Sequence, residues 1–264
     1  MPYADDLALA RQLADVADQA SLPRFGALDL HVETKPDLTP VSDADRAVEI
    51  ALRELLAIER PDDAILGEEY GESAASVPGH GGRRWVIDPI DATKNFIRGV
   101  PVWATLIALL DGADAVVGVV SAPALGHRWW AARGCGSWTS RFGDDASRNH
   151  VSSVSRIADA SVSHSDLMEW TTRRAAFETL LGEAWRVRAY GDFWSHVLVA
   201  QGSVDVSAEP ELSLWDVAAL VPIVEEAGGT VTGVDGAKSP GSPSALCTNG
   251  LLHDEVLRRL GGAD

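Results

Sequence analysis

Residues 85–96 read WVIDPIDATKNF, and this stretch contains the strongest structural signal in the chain. It begins with three apolar residues typical of a buried strand, yet two charged residues, Asp88 and Asp91, follow at once. Pro89 restricts Asp88 to an extended backbone conformation. A turn can use one aspartate as a side-chain cap, but a second one followed by Thr93 is more than a turn needs. On its own the stretch is compatible with a turn or with a functional site.

The composition is that of an ordinary globular protein. The 264 residues are 46% hydrophobic and 23% charged, which suits one large domain or two closely joined lobes. The formal net charge of −17 argues against nucleic acid as a partner, because few cationic side chains are available to neutralise phosphates. The excess of carboxylates is compatible with divalent metals or a cationic substrate, but a solvated acidic surface would give the same count.

The cysteines and the N-terminal segment favour a cytoplasmic location. Cys135 and Cys247 lie far apart and in no C-x-x-C motif, which argues against a disulfide framework or a thiolate metal site. The N-terminal segment is acidic where a signal peptide would be basic and then apolar. No apolar run reaches the roughly 18 residues of a membrane span, so no membrane partner is expected.

Helical and strand patterns alternate along the chain, which predicts a layered α/β arrangement. The polar segment 139–153 suggests a boundary between an N-terminal lobe (1–140) and a C-terminal lobe (141–264). The Gly-, Ser- and Pro-rich loop 72–82 is predicted to be mobile. Helices are predicted at residues 7–25, 42–60, 166–184, 192–202, 214–229 and 251–260, and strands at 64–67, 84–88, 103–112, 114–123, 127–138, 185–191, 203–209 and 230–233.

Further acidic residues occur where strands end or helices begin. Glu68 and Glu69 follow the apolar run 64–66, and Asp43 and Asp216 lie at predicted helix starts. Both helix-start aspartates can also be read as ordinary caps. Strand ends and helix N-termini can converge on one cleft, where the acids would repel one another unless cations hold them ionised. Oxygen ligands of this kind select Mg²⁺ or Mn²⁺ over zinc.

Three motifs together resemble the signatures of the inositol monophosphatase family. They are LGEEYG at residues 66–71, WVIDPIDATKNF, and LWDVAALVPIVEEAGG at residues 214–229, and the resemblance extends in the family's order from TPVSDAD at residue 39 onward. It implies a Mg²⁺-dependent, lithium-sensitive phosphomonoesterase with the two-lobed α-β-α-β-α sandwich of the inositol monophosphatase and fructose-1,6-bisphosphatase type. The run 93–110, TKNFIRGVPVWATLIALL, is most similar to the branch that acts as histidinol-phosphatase in histidine biosynthesis.

The resemblance also implies a set of metal ligands. Glu68 and Asp88 would bind a first ion together with the backbone carbonyl of Ile90. Asp88 would bridge to a second ion held by Asp91 and Asp216, and a third, weaker ion would share Glu68. Two to three Mg²⁺ ions are therefore expected, with Mn²⁺ as an alternative, and two ions in this arrangement stabilise both the attacking and the leaving oxygen.

The catalytic roles follow from the same resemblance. Thr93 and Asp43 would activate the water, with Thr93 Oγ1 accepting its proton while Asp43 holds the hydroxyl proton, and Glu68 would assist as a metal ligand. Asp216 would lie near the leaving alcohol, and the backbone N–H groups of Ala92 and Thr93 would hold the phosphate where a short helix begins. The family usually has Gly at position 92, so we predict that Ala92 has a negative, helix-like φ and still donates its N–H.

The substrate positions of the family map to Gly191, Asp192 and Glu209, with Asn95 as a further orienting residue. Histidinol phosphate carries an ammonium group and an imidazole, for which the two acids are suitable partners. His196 is expected to be a packed helix residue rather than a ligand. The expected partner is thus a small phosphorylated substrate, and a homodimer is implied by resemblance only.

Two alternatives stay open from the sequence. An inositol-1-monophosphatase or a broad sugar-phosphate phosphatase would use the same carboxylates. A non-enzymatic metal-binding scaffold protein is disfavoured because Glu68, Asp88, Asp91, Thr93 and Asp216 are all present.

Overall fold

The computed structural model describes residues 2–73, 82–141 and 144–261. The central part of the loop 72–82, which the sequence predicts to be mobile, lies outside these described residues. The helices are α1 (Ala4–Ser21), α2 (Asp43–Glu59), α3 (Thr93–Ile97), α4 (Arg174–Glu183), α5 (Asp192–Ala200), α6 (Leu214–Val217), α7 (Leu220–Glu225) and α8 (His253–Arg259). Among the described residues, no helix has both the length and the apolar character needed to cross a bilayer.

The strands form two large sheets and one small ribbon. They are β1 (Val32–Thr34), β2 (Pro40–Ser42), β3 (Ala64–Gly67), β4 (Gly71–Ser73), β5 (Arg83–Asp91), β6 (Ala104–Asp111), β7 (Asp114–Ala122), β8 (His127–Ala132), β9 (Gly136–Arg141), β10 (Ser147–Arg148), β11 (Ser161–His164), β12 (Arg186–Arg188), β13 (Val206–Glu209), β14 (Thr230–Thr232) and β15 (Ala245–Thr248). The first sheet has the order β10-β9-β8-β7-β6-β5-β3-β4, and the second has the order β12-β11-β13-β15-β14.

The first sheet is covered by helices on both faces. Strand β6 shows why: Leu106 and Ala108 belong to the apolar cluster on one face, whereas Ile107 and Leu109 belong to the cluster on the other. Such an unbroken apolar run is typical of a strand buried on both sides. Strands β6 and β7 form a hairpin at DGAD (residues 111–114), because they pair antiparallel through Asp111 and Asp114.

The helices complete a five-layered sandwich. Helices α1 and α2 pack on the outer face of the first sheet, and α5, α6 and α7 fill the space between the two sheets. Helices α4 and α8 cover the outer face of the second sheet. Gly118 in β7 allows close packing of the middle layer, since a Cβ there would lie 2.1 Å from the Ala219 carbonyl. The predicted α-β-α-β-α sandwich is confirmed.

The short elements of the second half differ most from the sequence prediction. Strands β11 and β15 were not predicted, since SVSH and ALCT show little of the β-branched or aromatic pattern of a strand. The single helix predicted at 214–229 is two short helices, α6 and α7. Strand β10, beyond residue 140, still pairs within the first sheet. The division into lobes 1–140 and 141–264 remains a prediction.

Candidate active site

A β-bulge directs both aspartates of the Asp-Pro-Ile-Asp segment to the same side of β5. Asp88 pairs with Leu106 and Asp91 with Ala104, so three steps along β5 match two along β6. Residues three apart on a regular strand face opposite sides, and the extra residue reverses this. Pro89 fits the bulge because it has no N–H to donate to the neighbouring strand.

A third aspartate reaches this position from the middle helical layer. Asp216 begins α6, and its Oδ2 accepts a hydrogen bond from the backbone N–H of Ser213 at 2.7 Å. One carboxylate oxygen from each of Asp88, Asp91 and Asp216 lies within 4.8 Å of the others. Asp216 can therefore cap α6 and belong to the site at the same time, because the cap involves only one of its two carboxylate oxygens.

The electrostatics of this aspartate cluster fit a divalent metal. Burial, together with the neighbouring carboxylates Glu68, Asp91 and Asp216, raises the pKa of Asp88 well above its usual value. Burial and nearby acids also raise the pKa of Asp91, and they raise that of Asp216 to about 7. Buried carboxylates so close together are costly to ionise without a counter-charge, and hard oxygen donors of this kind suit Mg²⁺ or Mn²⁺.

Glu68 lies beside the cluster and is held by the segment before α2. Lys35 Nζ donates to Glu68 Oε1 at 2.7 Å and to Glu69 Oε1 at 2.9 Å. Glu49 of α2 stabilises the turn that follows β3, because its carboxylate accepts a hydrogen bond from the backbone N–H of Glu69 at 2.7 Å. Gly67 makes room for this carboxylate, since a Cβ there would lie 2.0 Å from Glu49 Oε1.

The predicted contact between Thr93 and Asp43 is wrong. The carboxylate of Asp43 instead accepts from Arg24 Nη2 at 2.7 Å. The carboxylate closest to the Thr93 hydroxyl is Asp45, whose Oδ1 lies 3.4 Å from Thr93 Oγ1. The reason is the helix geometry: Asp45 completes the predicted cap of α2 by accepting from Ser42 N at 2.8 Å, and this orients its second oxygen toward Thr93.

The predicted backbone of Ala92 is also wrong. Ala92 has φ 64° and ψ 46°, in the left-handed region that glycine adopts without cost. Strand β5 ends at Asp91 and helix α3 begins at Thr93, so the whole change of direction falls on one residue. The short helix predicted at this point is present, and Thr93 Oγ1 donates to the Ile90 carbonyl at 3.0 Å.

Asp91 links the end of β5 to the start of α5. Its Oδ2 accepts from the backbone N–H of Phe193 at 2.9 Å, across 102 positions of sequence. Gly191 and Asp192, which precede this N–H, both have positive φ, at 76° and 49°. Burial, followed by the charges of Glu209 and Glu169, raises the pKa of Asp192 to about 6.

These elements surround a cavity of about 600 Å³. Nine of the sequence-predicted site residues line it: Glu68, Asp91, Ala92, Thr93, Asn95, Gly191, Asp192, Glu209 and Asp216. Asp88 and Ile90 are buried within β5. Asn95 also has a structural contact, since its Nδ2 donates to the Val102 carbonyl at 2.8 Å.

Four residues that shape the cavity or its supports were not predicted from the sequence. Lys35, Glu49 and Asp45 hold the loop after β3 and the Thr93 hydroxyl, as described above. Glu169, in a short 3₁₀ turn, also lines the cavity. Only Asp45 had a readable signal, because its position three residues after Ser42 marks a capping box.

A layered α/β fold that directs buried carboxylates from strand ends and helix starts into one cavity fits a metal-dependent phosphoric monoester hydrolase. A model of the group described as the inositol monophosphatase family matches residues 4–261, and the chain belongs to that family. The family resemblance and the enzyme class predicted from the sequence are thus confirmed.

Individual relatives point the same way. A histidinol-phosphatase from Streptomyces coelicolor is 58% identical over 261 residues, which is 97% of this chain and 96% of the relative. A histidinol-phosphatase from Mycobacterium tuberculosis is 57% identical over 258 residues, with 97% and 98% covered. Among solved structures, the extragenic suppressor protein suhB from Bartonella henselae superposes with a TM-score of 0.86 at 27% identity, covering 97% of this chain and 98% of that one.

Proposed function

We propose that the protein is a Mg²⁺-dependent phosphatase that hydrolyses L-histidinol phosphate to L-histidinol and phosphate, a step of histidine biosynthesis. The observation that carries the proposal is a cavity lined by more carboxylates than the aspartate cluster alone. Besides that cluster, which is suited to metal ions, the lining contains Asp192, Glu209 and Glu169, which would repel a phosphate group. A substrate with a phosphate at one end and cationic groups at the other fits this arrangement.

The metal ligands we propose are Glu68, Asp88, Asp91, Asp216 and the carbonyl of Ile90. They are oxygen donors, and burial together with neighbouring carboxylates raises the pKa values of the three aspartates, which a bound cation would offset. Mg²⁺ bound here would neutralise the charge on the phosphoryl group and lower the pKa of a coordinated water. Mn²⁺ would serve as an alternative because it accepts the same ligands.

The protein's own groups would move the proton and hold the phosphate. Thr93 Oγ1 is placed to accept a proton from the attacking water while it passes its own proton to the Asp45 carboxylate, whose Oδ1 lies 3.4 Å away. Water would attack phosphorus in line with the ester oxygen, the bond from phosphorus to that oxygen would break, and the leaving oxygen would take up a proton from solvent on the side of Asp216. The N–H groups of Ala92 and Thr93 would donate to the phosphate oxygens.

The cationic part of the substrate would bind at Asp192 and Glu209. Asp192 begins α5 and Glu209 ends β13, and both line the cavity. Charge-assisted hydrogen bonds from an ammonium or imidazolium to these carboxylates would select histidinol phosphate over uncharged alcohol phosphates. Binding would also relieve the repulsion among Asp192, Glu209 and Glu169 that raises the pKa of Asp192.

A substrate panel with phosphate detection tests the proposal. Histidinol phosphate, inositol 1-phosphate, fructose 1,6-bisphosphate and p-nitrophenyl phosphate are compared with Mg²⁺ and with EDTA. We expect the highest kcat/KM for histidinol phosphate and no turnover in EDTA. Asp88→Asn should remove most of the activity, and full activity in this variant would refute the metal assignment. Faster hydrolysis of inositol 1-phosphate would refute the substrate assignment.

We also infer a homodimer in the cytoplasm. The homodimer is inferred from the family resemblance alone, and the compartment from the two cysteines, which lie in no disulfide or thiolate-metal motif. Sedimentation velocity of the purified protein tests the oligomeric state.

A further inference from the structure

The sheet geometry turns Glu209 toward α5. In β13, Val206 and Ala208 belong to the apolar cluster on the outer face of the second sheet, so Ser207 and Glu209 point to the inner face. Glu209 pairs with Ala245 and Ser207 with Cys247 of β15, so Glu209 and Cys247 occupy neighbouring places on that face. Helix α5 packs over both.

One residue of α5 contacts both of them. His196 is only 1% exposed, and its Nε2 lies 3.3 Å from Glu209 Oε1. Its Nδ1 lies 3.2 Å from Cys247 Sγ. Within the described residues, neither His196 Nε2 nor Glu209 Oε1 has a hydrogen-bond partner, so their 3.3 Å approach is a close polar contact rather than a hydrogen bond of good geometry. Both residues line the cavity, and Glu209 is 3% exposed.

We propose that His196 is a positioning residue that holds the Glu209 carboxylate in the orientation needed to bind the cationic group of the substrate. The Nε2–H would donate to Glu209 Oε1 and leave Oε2 for the substrate, while Cys247 Sγ fixes the other ring nitrogen. The inference rests on the proposed function only in assigning Glu209 to the substrate's cationic group.

The surroundings of Glu209 explain why such a contact is needed. Its charge contributes to raising the pKa of Asp91, Asp192 and Asp216, so it is buried among carboxylates. A buried carboxylate in this position without a donor to hold it would turn away from the other acids. An apolar residue at position 196 would fill the same volume, yet it would leave Glu209 without its donor.

The test compares three variants on two substrates. His196→Leu removes both ring nitrogens, His196→Gln keeps an N–H donor, and Glu209→Gln removes the carboxylate charge. Loss of a hydrogen bond to a charged group corresponds to about a tenfold change in affinity or more. We therefore expect His196→Leu to raise KM for histidinol phosphate about tenfold. The change in KM for p-nitrophenyl phosphate and the change in kcat should be much smaller.

Rescue and non-additivity separate positioning from packing. His196→Gln should recover most of the KM, and His196→Leu combined with Glu209→Gln should be no worse than Glu209→Gln alone. Equal effects of His196→Leu on both substrates, no rescue by glutamine, or additive effects in the double variant would overturn the proposal.

A spectroscopic measurement keeps the test independent of the substrate assignment. In ¹⁵N-histidine-labelled protein, the Nε2 signal that disappears in His196→Gln should shift in Glu209→Gln. If wild-type protein fails to hydrolyse histidinol phosphate, the proposed function is refuted, while an unchanged Nε2 signal in Glu209→Gln refutes the contact itself.

Discussion

Asp45 and Asp216 each use two carboxylate oxygens for two different purposes. In both residues one oxygen accepts a hydrogen bond from the backbone N–H of the helix cap, Ser42 or Ser213. The cap fixes the side chain at the first turn, so the second oxygen has a defined direction without further support. In both residues the helix cap orients a functional carboxylate, so a role in capping does not exclude a role in the site.

Asp45 and Asp43 make a matched pair of test positions. Asp45→Asn keeps an oxygen that can cap α2 but removes the charge that faces Thr93, so we expect kcat to fall by about 100-fold or more. Asp43→Asn weakens only the ion pair with Arg24, whose guanidinium is 27% exposed, and kcat should stay within about threefold. Steady-state kinetics of both variants measures the two values of kcat. A larger loss of kcat in Asp43→Asn than in Asp45→Asn would contradict the assignment of Asp45 as the partner of Thr93.

Ala92 carries backbone strain at the tip of the site. An alanine in the left-handed region costs about 1–2 kcal/mol, whereas glycine does not pay this penalty. Because glycine also has more freedom in the unfolded chain, we expect Ala92→Gly to raise the free energy of unfolding by up to about 1 kcal/mol. That corresponds to about 2 °C in Tm, measured by scanning calorimetry.

The control for this prediction is a β-branched residue at the same position. Ala92→Val should lower Tm, because a β-branched side chain tolerates positive φ poorly. A lower Tm in the glycine variant than in wild type would show that the strain is absent in solution.

At the scale of elements, the sequence predicted long periodic segments well and short ones poorly. Helix α2 and strands β6 and β7 are present where they were predicted. Strand β15 was missed because its four residues, Ala245–Thr248, are buried only by virtue of their neighbours. The bulge in β5 was also missed, since it depends on register with β6 and leaves no local pattern.

Glu49 shows how one helix side chain stabilises a neighbouring loop. It is fully buried, pairs with Arg53 at 2.7 Å and accepts from the N–H of Glu69. Glu49→Ala would leave these donors without a partner, so we expect the free energy of unfolding to fall by about 2–4 kcal/mol. The Mg²⁺ concentration for half-maximal activity should also rise, because Glu68 would lose its fixed position.

The control lies on the exposed face of the same helix. Glu54→Ala removes an exposed carboxylate from α2 and should change stability by less than about 0.5 kcal/mol. Chemical denaturation and Mg²⁺ titration of both variants give the two readouts. Equal effects at positions 49 and 54 would contradict the bracing role of Glu49.

At the scale of the whole molecule, the fold concentrates negative charge between its two sheets. Asp88 and Asp216 are 128 positions apart in sequence (216 − 88), yet their oxygens lie within 4.8 Å. No periodicity predicts such a contact, so the assignment of particular acids to one ion was available only through the resemblance to a family. By contrast, the presence of acidic residues at strand ends and helix starts could be read from the sequence itself.

This concentration of charge sets the pH dependence of the metal-free protein. In the unfolded chain an aspartate has a pKa of about 4, whereas burial raises the pKa of Asp45 to about 6 and that of Asp216 to about 7. Between these values the folded state binds more protons than the unfolded state, so stability falls as pH rises. Below about pH 4 both states are protonated and this penalty is absent, and above about pH 7 it is fully present.

We therefore expect Tm in EDTA to be several degrees higher at pH 5 than at pH 8, and Mg²⁺ at pH 8 to remove most of that difference. Scanning calorimetry at the two pH values provides the measurement. Asp216→Asn keeps an acceptor for the Ser213 N–H but removes one buried charge, so its metal-free Tm at pH 8 should exceed that of wild type. A metal-free wild type that is equally stable at both pH values would contradict the raised pKa values, because carboxylates with ordinary pKa values take up no extra proton on folding.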